Sequence, residues 1–398
     1  MTHRQLKAGY FVLAGLNTLS NSFYFNFLFF YLRDHYGFGN RGNLAVTALY
    51  GFIYTFAAVG FGKFAAHYGR RLSLKLGFAG LGLLMVVGAL LPGEGAQLAV
   101  FGIYSAVLLL TWPALEALVS EGESAAGVQE MVGRYNCTWA GCAALAYFAG
   151  GKLYDEFGRG EVYWLPAGIF AGQFLLILWL DRRHAALVPA APVTLAEDQH
   201  EPEASALGQP LPAAAFLKLA WLANPFAYIA ANTLIAVMPV VTDRFQLSPT
   251  QAGLFCSVWF FSRFFTFGIL WKWAGWHYRF RWLLGSFLLL IACLAVILLS
   301  NWLWLVLLAQ GLFGAAVGLI YYSSLFYSMD VGGASSEHGG LHEAFIGAGI
   351  CAGPATGALA LTVAPGSPNV FAWAVSGLLF AGLLGLLGLR AASHKRGI

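Results

Sequence analysis

Apolar residues along this chain gather into runs of about twenty. A helix needs roughly 20 mostly apolar residues to cross a hydrocarbon layer of about 30 Å. Twelve runs meet that length. Six lie in the first half, at 8–32, 43–66, 74–92, 97–118, 131–152 and 162–181. Six lie in the second, at 216–240, 250–272, 282–300, 302–327, 341–363 and 369–390. Short polar, Gly- or Pro-containing stretches separate them, such as Arg33-Asp34-His35, Leu91-Pro92-Gly93-Glu94 and Ala364-Pro365-Gly366. Ser248-Pro249-Thr250-Gln251 reads as a helix start, with a capping Ser and Pro at the first helical position. The first run is read as a membrane span and not as a cleavable leader.

The pattern breaks once, over 183–215. That stretch holds Pro189, Pro192, Pro202, Pro210 and Pro212 with Glu197, Asp198, Glu201 and Glu203. Such a segment cannot bury a core and is expected to be a flexible linker. It divides the chain into six-span bundles at 1–182 and 216–398. The expected fold is all-α and integral to a membrane.

Composition agrees. Of the residues, 59% are hydrophobic and 10% charged, where soluble domains carry about 25%. Mean hydropathy is +0.69. A net charge of +4 without a basic tract does not point to nucleic acid, and no nucleic-acid partner is expected. The five cysteines form no CxxC pair and sit in apolar runs, as small buried side chains do. No phosphate-binding loop, GxSxG, HExxH or metal-ligand spacing occurs, so no enzyme, cofactor or metal site is expected. Lys and Arg orient the spans. With both termini in the cytoplasm, loops on that side hold Arg70, Arg71, Lys75, Arg279, Arg281 and Arg390 among others. The opposite loops hold only Arg33, Arg41, Lys152, Arg159 and Arg244, while Arg263 lies inside a span. A plasma or inner membrane with cytoplasmic termini is expected.

The halves repeat weakly. Span one ends Arg33-Asp34-His35-Tyr36-Gly37 and span seven ends Asp243-Arg244-Phe245-Gln246. Aligning Gly141 of span five with Gly349 of span eleven sets Arg134 opposite His342. Gly62 to Arg71 has a Gly and an Arg pair between spans two and three. In these features the chain resembles the major facilitator superfamily. Ala66 stands where that family's motif carries an acid. Gly349, Gly353, Pro354 and Gly357 resemble a Gly-Pro pattern of family exporters, here in span eleven instead of five. The resemblance implies twelve transmembrane helices in two pseudo-symmetric bundles. It implies alternating access around a site near the midplane, with spans four, five, eight and eleven lining the cavity.

Ionisable groups inside spans are costly, which makes them functional candidates. Glu116, Arg134, His342 and Glu343 are candidates for proton coupling or gating, expected as pairs Glu116–Arg134 and Arg263–Glu343. The alternative is salt bridges that only hold helices together. Substrate-binding candidates are Arg263 and three polar sets. Asn17, Asn21 and Tyr24 share one face of span one. Tyr228 and Asn232 share one face of span seven with Asn224. Trp112, Asn136, Trp139, Trp259 and Tyr321 offer rings and polar tips. Interhelical hydrogen bonding is the competing reading for the amides. Pro113, Pro225 and Pro354 are able to bend their helices.

The expected function is secondary transport of a small organic solute, with protons as coupling ion and a monomer as the working unit. Arg134, Arg263 and His342 favour an organic anion, and the Asn and Tyr faces a neutral polar solute. An exporter of amphiphiles and a non-transporting sensor of the same fold are the alternatives.

Overall fold

The computed structural model describes residues 3–123, 125–158, 160–185, 211–332 and 336–396. The runs fold as twelve helical crossings. In the first half they are His3–Tyr36, Asn40–Tyr68, Arg70–Leu90, Glu94–Ser120, Ala125–Phe157 and Glu161–Ala185. In the second they are Ala213–Arg244, Pro249–Lys272, Phe280–Leu299, Leu303–Gly332, Ser336–Val363 and Val370–Arg396. No strand occurs among the described residues. Ten of these helices are apolar enough to cross a membrane on composition alone. Spans one and five are long enough, at 34 and 33 residues, but more polar. In span one the polar side chains Asn17, Thr18, Ser20, Asn21 and Asn26 are all buried, so lipid does not meet them.

Most helices run a few residues past the expected edges. Most of the expected linker, 186–210, lies outside the described residues. Its first three and last three residues are helical, because spans six and seven run on to Ala185 and back to Ala213. Span four is not one continuous α-helix. Leu108–Leu110 tightens to a 3-10 turn, and α-helix resumes at Trp112 with Pro113 in its first turn. Pro113 has no N–H for the carbonyl one turn back, which favours a break there. Pro225 and Pro354 sit inside continuous helices, as do Pro166 and Pro239. Span eight starts as expected. Ser248 accepts from the Gln251 backbone N–H, and the Gln251 side chain accepts from the Ser248 N–H.

Spans three, six, nine and twelve form the rim. Their exposed side chains are large and apolar, including Leu83, Leu90, Leu175, Leu288, Phe380 and Leu384. Lipid-facing surface has this character. The halves meet along two seams. Span two lies along span eleven, and span five along span eight. Small residues let the backbones touch. A Cβ on Gly51 would lie 2.3 Å from the Cys351 nitrogen, and one on Gly151 would lie 2.3 Å from the Pro249 carbonyl oxygen. Spans four and ten pack against neighbours of their own half.

The face opposite the termini is tied shut. Arg33 of span one donates to the Pro239 carbonyl (3.0 Å) and to Asp243 (2.6 Å) of span seven, and also to Asp34. Tyr154 donates to Asp34, and Thr250 of span eight to Asp155 of span five. Arg244 donates to the Leu298 and Ser300 carbonyls that end span nine, a favourable place for a cation.

Candidate substrate site between the halves

Phe260, Arg263 and Phe267 follow one another around span eight at helical spacing, so they share a face. That face meets Trp139 of span five, in the other half. The Arg263 guanidinium carbon lies 4.5 Å from the Trp139 ring centre, 5.1 Å from Phe260 and 5.2 Å from Trp259. Arg263 is 7% exposed, and its Nε makes no hydrogen bond. No carboxylate among the described residues pairs with it. Trp139 also meets Tyr321 and Phe267, and Tyr321 meets Tyr228. Asn136, one turn before Trp139, accepts from its indole N–H at 2.8 Å. The Asn136 amide nitrogen is left without a partner.

Beside this aromatic cage stand two carboxyl groups. Tyr54 of span two donates to Glu343 of span eleven at 2.5 Å, across the seam between the halves. Glu116, Glu343, Tyr228 and Tyr321 lie within electrostatic reach of one another. Among the described residues neither carboxyl has a Lys or Arg partner. The site therefore holds one unmatched cation, two unmatched acids and a wall of rings, drawn from both halves.

Both expected charge pairs need correcting. Arg134 pairs with Glu130, one turn earlier on its own helix, at 3.0 Å and half-exposed, not with Glu116. Glu130 also accepts from Trp271 of span eight. Glu343 is held by Tyr54, not by Arg263. The His342 side chain lies outside the described residues.

The span-one candidates turn the other way. Asn17 donates to Thr111 of span four at 3.2 Å. Asn21 donates to Asn17 (2.8 Å), and Tyr104 donates to Asn21 (2.7 Å). Tyr24 packs against Phe101, Tyr104 and Tyr163. These side chains knit the first half together and do not face the seam. Asn232 returns its amide to the Tyr228 carbonyl of its own helix. Trp112 is half-buried at the break in span four. Of the substrate candidates the structure brings together Asn136, Trp139, Tyr228, Trp259, Arg263 and Tyr321. It adds Tyr54, Phe260 and Phe267. Tyr50 and Tyr54 at i and i+4, and the phenylalanines flanking Arg263, are the sequence signal for these.

A twelve-helix bundle in two halves, with polar groups at their seam, fits a membrane transporter. The chain belongs to the Major Facilitator Superfamily, whose family profile matches residues 10–336. It is an integral membrane protein, and its family points to a transporter and not to an enzyme. No curated protein matches the sequence significantly. Solved structures share the fold at low identity. The nucleoside transporter NupG is 14% identical with a TM-score of 0.71, covering 96% of this chain and 98% of its own. The human organic anion transporter MFSD10 (TETRAN) is 18% identical with a TM-score of 0.67, covering 97% and 100%. A bacterial homolog of the human lysosomal transporter Spinster, in an inward-facing and unoccupied conformation, is 12% identical with a TM-score of 0.64, covering 99% and 97%.

Proposed function

We propose that the protein is a secondary active transporter of a small, ring-bearing organic anion, working by alternating access and coupled to protons. The observation that carries this reading is Arg263. A guanidinium that is buried, caged by rings and without a carboxylate partner is costly unless an anion arrives to match it. Arg presents a planar fork that suits a carboxylate. The rings of Trp139 and Tyr321 offer flat surface beside it. Glu343 and Glu116 supply sites for a proton that travels with the anion. An anion entering with a proton crosses at lower electrostatic cost than the anion alone. The halves rock about the two seams, and the ties on the face opposite the termini open once per cycle. We place both termini in the cytoplasm, the two bundles at 1–182 and 216–398 as the rocking units, and a monomer in the plasma or inner membrane.

The test is uptake into proteoliposomes with an imposed pH gradient. The labelled solutes are an aromatic carboxylate, a nucleoside and a sugar. Acid outside should accelerate carboxylate uptake. Arg263→Gln should insert and fold normally but lose it. Nucleoside or sugar uptake alone, or full carboxylate uptake by Arg263→Gln, overturns the anion assignment. Binding without flux for every solute supports the non-transporting alternative.

A further inference from the structure

The two halves neutralise their termini-side arginines differently. Span three opens with Arg71 as its second residue, and span nine with Arg281 as its second. Asp181 in span six and Arg390 in span twelve stand equally far from their helix starts at Glu161 and Val370. These are matching places in the repeat, and span three packs on span six as span nine packs on span twelve. In the first half the corresponding cations each have a carboxylate partner. Asp181 pairs with Arg71 at 3.6 Å and with Lys75. Lys7 pairs with Glu123, and Arg70 with Glu121. In the second half the acid is replaced by Arg390. Arg279, Arg281 and Arg390 then converge on one cavity of about 360 Å³, backed by Phe216, Tyr278 and Phe280. Among the described residues no carboxylate pairs with any of the three. Behind the cavity wall, the Tyr278 hydroxyl donates to the buried Asp330.

Three guanidiniums sharing a cavity repel one another, so an anion should complete the site. Arg390 lies 4.2 Å over the Phe280 ring and Arg281 5.7 Å from the Trp282 ring, which steadies both beside the opening. The surface along spans nine and twelve beyond the cavity is exposed and apolar, with Leu288, Leu384 and Leu387 on it. Phosphate matches the arginine forks. Acyl chains match the apolar surface, which a free anion would leave bare. We propose that this cavity binds the phosphate headgroup of an anionic phospholipid from the leaflet on the termini side. Bound there, the lipid bridges the loop between spans eight and nine to the end of span twelve. It fastens two rim helices of the second half as Asp181 fastens two of the first.

The experiment is native mass spectrometry of the full protein released from nanodiscs of equal phosphatidylglycerol and phosphatidylcholine. Phosphatidylglycerol should be retained selectively. The variant Arg279→Gln/Arg281→Gln/Arg390→Gln should lose about a hundredfold in selectivity, taking about fivefold for each arginine at an anionic surface. The control Arg4→Gln/Lys63→Gln/Arg182→Gln removes three exposed charges of the same face and should retain selectivity. If the triple variant does not fold, Arg390→Gln alone should show a partial loss of about fivefold. Equal retention of both lipids by the unmodified protein overturns the proposal. So does equal loss in the control. A second arm adds inorganic phosphate to lipid-stripped protein in detergent. Thermal stabilisation by phosphate together with no selective lipid retention overturns the lipid source in favour of a soluble phosphate.

Discussion

Alternating access requires the seam between spans five and eight to part on the face opposite the termini, and Gly151 makes that requirement measurable. A Cβ at residue 151 would sit 2.3 Å from the Pro249 carbonyl oxygen and 2.9 Å from the Gly253 Cα. Ordinary contact begins at 3.4 Å, so Gly151→Ala forces the backbones apart by about 1 Å. Neither obstructing group is a flexible side chain able to swing aside. Overpacking of this kind costs about 1–3 kcal/mol. The cost falls only on the state in which the seam is closed. Gly151→Ala should therefore shift the population about 5- to 150-fold toward the state open on that face. Spin labels at Asn40→Cys and Gln246→Cys, with the five native cysteines replaced, report the separation of the start of span two from the turn after span seven on that face. The distance distribution should gain a longer component in the variant. An unchanged distribution with unchanged uptake would refute the idea that this seam opens during the cycle. Loss of folding, read as loss of the monomer peak, would show that the crossing is structural in both states.

Glu343→Gln should abolish net uptake driven by a pH gradient while preserving solute exchange at equal pH, because exchange needs no proton release. Glu116→Gln and Arg134→Gln should have additive effects on uptake, within about 0.5 kcal/mol in transition-state terms, because Arg134 is bonded to Glu130. Asn21→Leu removes the acceptor of Tyr104 and the donor to Asn17. It should destabilise the protein by about 1–3 kcal/mol in detergent unfolding and leave the solute KM unchanged. A raised KM would return span one to the binding site.

The number of crossings and the division into halves were legible because membrane thickness sets the length of an apolar run. Helix faces were also legible, as in Asn17 and Asn21 or Tyr228 and Asn232. What a face meets was not. Spacing groups Asn17, Asn21 and Tyr24, but only packing shows that the group turns to span four. Arg134 illustrates a local competitor overlooked. Glu130 lies one turn away on the same helix, the nearest carboxylate that geometry allows. Glu343 illustrates the opposite limit, since its partner Tyr54 is 289 residues distant and comes from the other half. The break in span four left a trace in Pro113, though its 3-10 turn lies just before the proline and not at it.

The tie between Arg33 and span seven joins a side chain to two unlike acceptors, one a main-chain carbonyl and the other a carboxylate. No substitution at position 239 deletes the carbonyl, whereas one base change at position 243 can delete the carboxylate. The far-face clasp is thus a two-stage fastener. Losing Asp243 loosens it, and losing Arg33 leaves only the Thr250–Asp155 bond to hold that face. Under the proposed alternating-access cycle, natural variation at these two positions would change how long the protein waits on one side of the membrane before turning to the other.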